Sequence, residues 1–347
     1  MKIFDFNRLN DFKWDNEIIS LIGQIHEHKG KQSLYLKQKP QVLEQLVEVA
    51  KIQSTESSNK IEGIITTSTR IKQLINNKAT PRNRDEEEIL GYRNALNIIH
   101  ESFEYIPISP NYILQLHNEL YKTTSKTIGG KFKNVQNYIS AKYPDGREEI
   151  LFTPLEPFET PEAIKNLCDA FNKCVDSDSV EALLLIPAFI SDFVCIHPFS
   201  DGNGRMSRLL TTLLLYRLGY HVGKYISIEK LIEKTKDSYY DALSQVDKGW
   251  HDNNNDPTPF IRYLLRTILI AYREFEERMS LVENKKSAYE YVKDTINTLL
   301  GKFTKSELLE KCPSIAKSTL EASLKNLVKD GFIKKVGKGK STYYYKS

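Results

Sequence analysis

Cysteine is scarce in this chain, with four in 347 residues. Cys168, Cys174, Cys195 and Cys312 show neither a CxxC pair nor zinc spacing, which excludes a disulfide framework and a zinc module and suggests a reduced compartment. Cys195 lies in an apolar run and is expected to be buried. No apolar run reaches transmembrane length. The opening residues, Met1-Lys2-Ile3-Phe4-Asp5-Phe6-Asn7, lack the apolar core of a signal peptide. A cytoplasmic, soluble protein is therefore expected. Internal repeats and low-complexity segments are absent as well. Net charge is only +4, so the chain as a whole is not a strongly basic nucleic-acid binder. That charge is uneven: residues 285–347 hold fourteen lysines against six acidic residues, +8, and leave −4 for the other 284. The imbalance marks the C-terminal piece as a separate unit.

What the chain does have is concentrated at residues 197–208, His-Pro-Phe-Ser-Asp-Gly-Asn-Gly-Arg-Met-Ser-Arg. The small residues 202–204 let backbone N–H groups face an anion. The apolar run Met206 to Leu218 then predicts a helix, whose N-terminus adds unsatisfied donors and a positive dipole end. Arg205 and Arg208, three apart, share a face at that helix start and can fork onto phosphate oxygens. Asp201 is a hard oxygen ligand suited to Mg²⁺ bridging phosphates. His197, after the apolar run Ala182 to Ile196, is placed to take a proton from an incoming hydroxyl. Together these residues suit a nucleoside triphosphate.

The stretch resembles the signature of the Fic family, His-Pro-Phe-x-Asp-Gly-Asn-Gly-Arg-x-x-Arg, at all nine specified positions. The resemblance implies transfer of AMP from ATP to a Tyr, Ser or Thr hydroxyl of a target protein, or of the chain itself, with release of pyrophosphate. It implies His197 as general base, Asp201 as the Mg²⁺ ligand and Gly202, Asn203 and Gly204 as the anion hole. Arg205 and Arg208 would bind the distal phosphates, and Phe199 would anchor the loop in the core. A relative that phosphorylates its target has Lys where this chain has Gly204, so glycine here favours AMP transfer. Ser58-Asn59-Lys60-Ile61-Glu62-Gly63 fits the family's inhibitory pattern, [Ser/Thr]-x-x-x-Glu-[Gly/Asn], in the class that carries its inhibitory helix at the front. Glu62 paired with Arg208 would withhold the guanidinium from the γ-phosphate. A plain helix end, with Gly63 as cap and Glu62 solvated, is the alternative.

Residues 129–153 hold the turn signal Pro144-Asp145-Gly146 between two strand-like segments, which predicts a hairpin. Gly130-x-Phe132-Lys133 and Gln136-Asn137 resemble the approach to the Fic flap, which would pin a target segment by strand addition. Tyr239 and Tyr240 lie about where relatives place adenine contacts; core or surface packing is the competing reading.

The remaining pattern is helical. Residues 15–105 read as amphipathic helices, Glu86 to Ile99 among them. Ser109-Pro110 and Thr160-Pro161 are helix starts, and a long helix is expected from Phe260 to about Glu283. In residues 286–347, Thr304 with Glu307 is a capping-box helix start, a second helix runs from about Ser314 or Ala316 to Asp330 and is stopped by Gly331, and Phe332–Val336 with Ser341–Tyr345 form a hairpin. This resembles a winged helix–turn–helix, with Ser314 to Lys329 as recognition helix and Gly337 to Lys340 as wing tip. Lys317, Lys325, Lys335, Lys338 and Lys340 are candidate DNA-phosphate contacts. The segment lacks the arginine that reads guanine, and such modules also dock proteins. In some Fic relatives this domain carries a self-modified hydroxyl; Ser341, Thr342 and Tyr343 to Tyr345 are candidates.

The expected fold class is mainly α: a Fic-type helical bundle with a β-hairpin flap and a C-terminal winged helix. The expected division is 1–105, an N-terminal helical region with the inhibitory helix; 106–284, the catalytic domain; and 285–347, the winged helix. ATP and Mg²⁺ are the expected substrate and cofactor, a target protein the partner, and a homodimer the assembly. Two alternatives stand beside the transferase: a DNA-binding regulator using the Fic domain as ATP sensor, and a hydrolase that removes AMP.

Overall fold

The structure is a computed structural model that describes residues 2–346, except 39, 77, 143–145, 284–287, 300, 314, 338 and 340–341. The side chains of 36–38, 40–42, 141–142 and 281–283 are also outside the description. The fold is mainly α, as expected. Its helices are α1 (Asn16–Gln38), α2 (Pro40–Ile61), α3 (Ser68–Ile75), α4 (Arg84–Ser102), α5 (Pro110–Tyr121), α6 (Thr160–Ser177), α7 (Ala182–Ile196), α8 (Asn203–Arg217), α9 (Ile228–Lys234), α10 (Lys236–Val246), α11 (Thr258–Glu283), α12 (Ala288–Asn297), α13 (Lys305–Lys311) and α14 (Lys317–Lys329). Two antiparallel hairpins complete it: β1 (Ile139–Lys142) with β2 (Glu148–Phe152), and β3 (Ile333–Val336) with β4 (Tyr343–Lys346). The chain divides into two compact units, residues 1–29 with 50–272, and residues 30–49 with 273–347.

In the first unit α7 and α8 form the centre. A helix that is apolar all round has no face to offer water, and α7 is buried from Leu183 to Phe193 on every side. Pro187 sits inside it, also buried. α8 is buried along nearly its whole length, including Arg205 and Arg208 at its start. α4, α5 and α6 pack around this pair. Asn83 caps α4, its side chain accepting from the Glu86 N–H at 2.9 Å, and three acidic residues follow in the first turn, where the helix dipole favours them. Ser109 stands at the N-cap of α5 but makes no capping hydrogen bond; Pro110 alone marks that start.

The hairpin of residues 129–153 forms as β1 and β2, with Ile139 opposite Phe152 and Lys142 opposite Glu148. Its turn residues Pro144 and Asp145 lie outside the described residues; Gly146 has φ +84°, a left-handed conformation suited to glycine.

The second unit is built around Tyr291, Val292, Ile296, Phe303, Leu308, Leu320, Leu324, Leu327, Ile333 and Tyr344. α12, α13 and α14 are followed by the β3–β4 hairpin. The expected capping box is present: Thr304 Oγ1 accepts from the Glu307 N–H at 3.3 Å, and Glu307 Oε2 accepts from the Thr304 N–H at 2.7 Å. α14 begins at Lys317, one residue after Ala316, the later of the two expected starts; the earlier, Ser314, lies outside the described residues. Asp330 caps the helix, and Gly331 follows with φ +72°. Phe303 exchanges backbone hydrogen bonds with Tyr344, both 2.8 Å, which ties the start of α13 to the hairpin. Lys317, Lys325 and Lys335 are exposed; Lys338, Lys340 and Ser341 lie outside the description. Replacing Thr304 by Ala removes one arm of the capping box and should lower the stability of this unit by about 1 kcal/mol, read as a lower urea midpoint with an unchanged slope.

Candidate active site

α7 ends at His197, whose own φ is +49°, left-handed and unusual for a residue with a side chain. Such strain persists only where neighbours fix it. Here the backbone carbonyls of the loop are held one by one. Lys133 Nζ donates to Ile196 O at 3.3 Å, the Lys133 N–H to Pro198 O at 2.9 Å, and Asn137 Nδ2 to His197 O at 3.3 Å and Phe199 O at 2.9 Å. Asn203 closes the loop from the other side: its Oδ1 accepts from the Phe199 N–H at 2.9 Å and its Nδ2 donates to Phe199 O at 2.7 Å. Phe199 is fully buried, stacked flat on His117 at 3.7 Å.

His117 is a second support. Its Nδ1 accepts from the Gly130 N–H at 3.1 Å, which leaves Nε2–H to donate to Asp201 O at 3.0 Å. Acceptance at Nδ1 requires the neutral ring. Burial pushes its pKa down to about 4, more than the Asp201 carbonyl restores.

The loop passes into α8 through Gly202, with φ +86°. A Cβ there would press on the Tyr121 hydroxyl at 2.8 Å, so the turn and the packing both require glycine. A Cβ at Gly204 would fall on Glu62 Oε1. The bare backbone at 204 is what lets that carboxylate reach α8.

His197, Asp201, Gly202, Asn203, Gly204, Arg205, Arg208, Glu62, Tyr239 and Tyr240 all line one cavity of about 880 Å³. The two arginines are buried, 1% and 2% exposed, and each has found an anion. Arg205 Nη2 meets Glu88 at 2.8 Å and the Tyr121 hydroxyl at 2.7 Å. Arg208 Nη2 meets Glu62 Oε1 at 2.8 Å and Ser58 O at 2.9 Å, while its Nε donates to Ser58 Oγ at 2.8 Å. Burial opposes the charge on Arg208, but Glu62 outweighs it and the guanidinium is held more firmly protonated than usual. Even so, Nε and Nη1 of Arg205 and Nη1 of Arg208 remain buried without a hydrogen-bond partner. Buried donors of that kind are costly unless something accepts from them, and an anion in the cavity would.

His197 is half-buried. Its Nδ1 lies 3.2 Å from Val194 O, a carbonyl that only accepts, so Nδ1 carries the hydrogen and Nε2 the lone pair. Burial lowers its pKa to about 4, against the raising effects of Val194 and Glu62 and with help from the Lys133 ammonium. It is therefore a neutral base near pH 7. For Asp201, burial raises the pKa, but the Lys126 ammonium and Arg205 lower it further, so the carboxyl is ionised. Among the described residues no three His, Cys, Asp or Glu side chains are grouped to hold a metal. Asp201, one hard carboxylate beside an anion-binding turn, fits a Mg²⁺ that arrives with phosphates and keeps most of its other ligands from them.

Glu62 and Gly63 form the turn that ends α2; Gly63 has φ +79°. The helix-end geometry and the ion pair are both present: Gly63 terminates the helix, and Glu62 reaches back to Arg208. The end of α2 is tied down around that pair. Ser54 Oγ donates to the buried Glu229 at 2.6 Å, Ser57 Oγ to Glu233 at 2.7 Å, Lys60 pairs with Glu233 at 2.7 Å, and Lys236 Nζ donates to Ile61 O at 2.8 Å. Tyr239 is buried against Phe260 and Tyr263, while Tyr240 is 43% exposed.

Comparison with known proteins finds similar arrangements elsewhere. Residues 107–215 match the Fic/DOC family. That match covers under a third of the chain. The chain is 29% identical over 188 residues to protein adenylyltransferase fic-1 of Caenorhabditis elegans, covering 53% of this chain and 32% of that one. It is 27% identical over 234 residues to protein adenylyltransferase Fic of Nematostella vectensis, covering 65% and 48%. The chain thus spans from just under a third to about half of the length of these curated relatives. Among solved structures, a Fic family protein from Desulfovibrio desulfuricans G20 superposes with TM-score 0.64 at 19% identity, covering 97% of each chain. A Fic domain containing signaling protein from Bacteroides thetaiotaomicron superposes with TM-score 0.61 at 24% identity, covering 73% of this chain and 94% of that one. At these identities the superpositions establish a shared fold.

In the sequence Lys133 and Asn137 stand only as part of the flap-like approach; in the structure both hold the loop between α7 and α8. Glu88, His117, Tyr121 and Lys126 were missed altogether. The only available signal for Glu88 was its place in an acidic run, which also reads as ordinary helix-start charge. The neutral state of His117 makes a prediction. Because its folded pKa lies near 4 and its unfolded value near 6.5, the unfolded state binds the proton first as pH falls. Stability is lost from pH 6.5 downward, by up to about 1.4 kcal/mol per pH unit for this one group. His117→Phe should keep the stack on Phe199 and reduce the pH slope of stability between 6.5 and 4.5 by about one proton, measured by urea denaturation across pH.

Proposed function

We propose that this chain is a protein adenylyltransferase that moves AMP from ATP to a hydroxyl side chain of a target protein, and that Glu62 holds it inhibited. One observation carries the reading: a neutral His197 shares a cavity with two buried arginines that retain unpartnered N–H donors, each paired with an internal carboxylate, Glu88 on Arg205 and the more exposed Glu62 on Arg208. The relatives named protein adenylyltransferase support it.

In this reading the triphosphate lies against the N–H groups of Gly202, Asn203 and Gly204 at the start of α8, with Arg205 and Arg208 on its distal phosphates. Mg²⁺ held by Asp201 would neutralise phosphate charge. Tyr239 and Tyr240 flank the nucleoside end of the cavity. A target segment lies along the β1–β2 hairpin, where Tyr138, Ile150 and Leu151 are exposed. His197 Nε2 takes the proton of the target hydroxyl as its oxygen attacks the α-phosphorus, and the bond to the bridging oxygen breaks to release pyrophosphate. With Glu62 on Arg208 the γ-phosphate loses its guanidinium, and the triphosphate is displaced from in-line attack.

The division at 105/106 and 284/285, the winged-helix identity of 285–347, a cytoplasmic location and a homodimer belong to the same proposal. Among the described residues no helix is long and apolar enough to cross a membrane. The exposed Lys317, Lys325 and Lys335 support a DNA-phosphate contact by the second unit, and self-modification of Thr342 or Tyr343 to Tyr345 is a further product of the transferase.

Incubation with Mg²⁺ and α-labelled ATP tests the reading by autoradiography and intact mass. Glu62→Gly should raise labelling by ~10²-fold or more, and His197→Ala added to it should abolish the AMP-sized adduct. No adduct on any variant would reject the transferase. In Glu62→Gly the rate should stay flat as pH falls through 6.5 and decline only toward 4, since His197 is neutral above that value; an acid limb centred at 6.5 would reject His197 as the buried base.

A further inference from the structure

Lys126 lies outside every motif. Its ammonium bridges two carboxylates at the phosphate end of the cavity. Nζ is 2.5 Å from Asp201 Oδ2 and 3.1 Å from Glu88 Oε1. The side chain is 20% exposed and also sits over the Tyr121 ring, 5.0 Å from its centroid. Its backbone N–H donates to Thr124 Oγ1 at 3.2 Å, which fixes the loop it stands on. Asp201 has two further cations nearby, Arg205 at 3.7 Å from Oδ1 and Arg84 at 4.0 Å from Oδ2. Arg84 and Arg205 also pair with Glu88, both at 2.8 Å. Three fixed cations therefore surround two carboxylates, and the cluster carries a net charge of +1.

A free divalent cation approaching Asp201 would meet that surplus and a lysine already on its ligand oxygen. A divalent cation carried by a triphosphate arrives in a complex of net negative charge, which the same surplus attracts. We propose that Lys126 is a tethered counter-ion that closes Asp201 to free metal and admits the cation only as its nucleotide complex. Lys126 is then a selectivity residue of the metal site, moving from Asp201 to its remaining partner Glu88, or to a phosphate oxygen, when the complex enters. The proposal rests on the reading of Asp201 as the metal carboxylate.

The test uses the full chain and Mn²⁺, with bound and free ion separated by electron paramagnetic resonance. Without nucleotide, wild type and Lys126→Arg should bind Mn²⁺ weakly. Lys126→Met and Lys126→Gln should bind it at least roughly tenfold more tightly, since each removes one like charge from contact with the ligand. Asp201→Asn added to Lys126→Met should erase that gain. With a non-hydrolysable ATP analogue, wild type should bind Mn²⁺ as tightly as Lys126→Met does. Equal binding of free Mn²⁺ by wild type and both neutral variants would overturn the proposal, as would a gain that survives Asp201→Asn. Failure of both neutral variants to fold would also overturn it, by making the ammonium a structural requirement. If the analogue brings no Mn²⁺ to wild type, the nucleotide reading fails, while the nucleotide-free arms still decide the role of Lys126.

Discussion

A buried guanidinium must have an anion, and this site contains two. Arg205 and Arg208 enter the interior at the first turn of α8, where the helix already presents unpaired N–H groups and a positive end. Leaving either charge unpaired inside the protein would cost several kcal/mol. The fold meets the demand from within the chain: Glu88 of α4 on Arg205, and Glu62 at the end of α2 on Arg208. The two solutions differ in permanence. Glu88 is 2% exposed and shared by three cations, so it belongs to the scaffold. Glu62 is 32% exposed, sits on a helix-ending turn and lines the cavity, which in the proposed reading makes it the anion that a phosphate replaces. Inhibition on this account is the default state of an anion site that has no nucleotide in it.

The same logic explains the loop between α7 and α8. The carbonyls of Ile196, His197, Pro198, Phe199 and Asp201 find their partners outside the helical ladders. Lys133, Asn137, Asn203 and His117 supply them, and three of these four come from distant parts of the chain. The chemistry of His197 depends on that frame. The carbonyl of Val194 fixes which ring nitrogen is bare, and burial keeps the ring neutral. Lys126 shows that charge balance at the phosphate end is set as carefully as the position of the base.

Much of this was legible in the sequence. The twelve residues from His197 to Arg208 combine residue types that loop geometry alone would not demand together. The apolar run before them could only be an interior helix. Glu62 was visible because Ser58 and Gly63 flank it at a recognisable spacing, and the structure places Ser58 on Arg208 as well. The capping box at Thr304 and Glu307 formed as its spacing implied. Glu88, His117 and Lys126 were not legible. Each has nearer partners too, but the contact that gives it its place in the site is distant: Asp201 for His117 and Lys126, 75 or more residues away, and Arg205 for Glu88, more than 100 away. In sequence, Glu88 is one more acid at a helix start and His117 one polar position on an amphipathic helix. Only tertiary packing turns them into the counter-charge of Arg205 and the support of Asp201. α14 starts within a residue of the later expected position, because Ala316, with extended backbone, serves as its N-cap.

The central claim is that Glu62 and the γ-phosphate compete for Arg208. Calorimetric titration of wild type and Glu62→Ala with ATP and, separately, with AMP tests it without requiring turnover. Competition predicts that removing Glu62 tightens ATP by at least roughly tenfold, the equivalent of one charge-assisted contact, and leaves AMP unchanged. Equal affinity of the two proteins for ATP, or an equal gain for ATP and AMP, would contradict it.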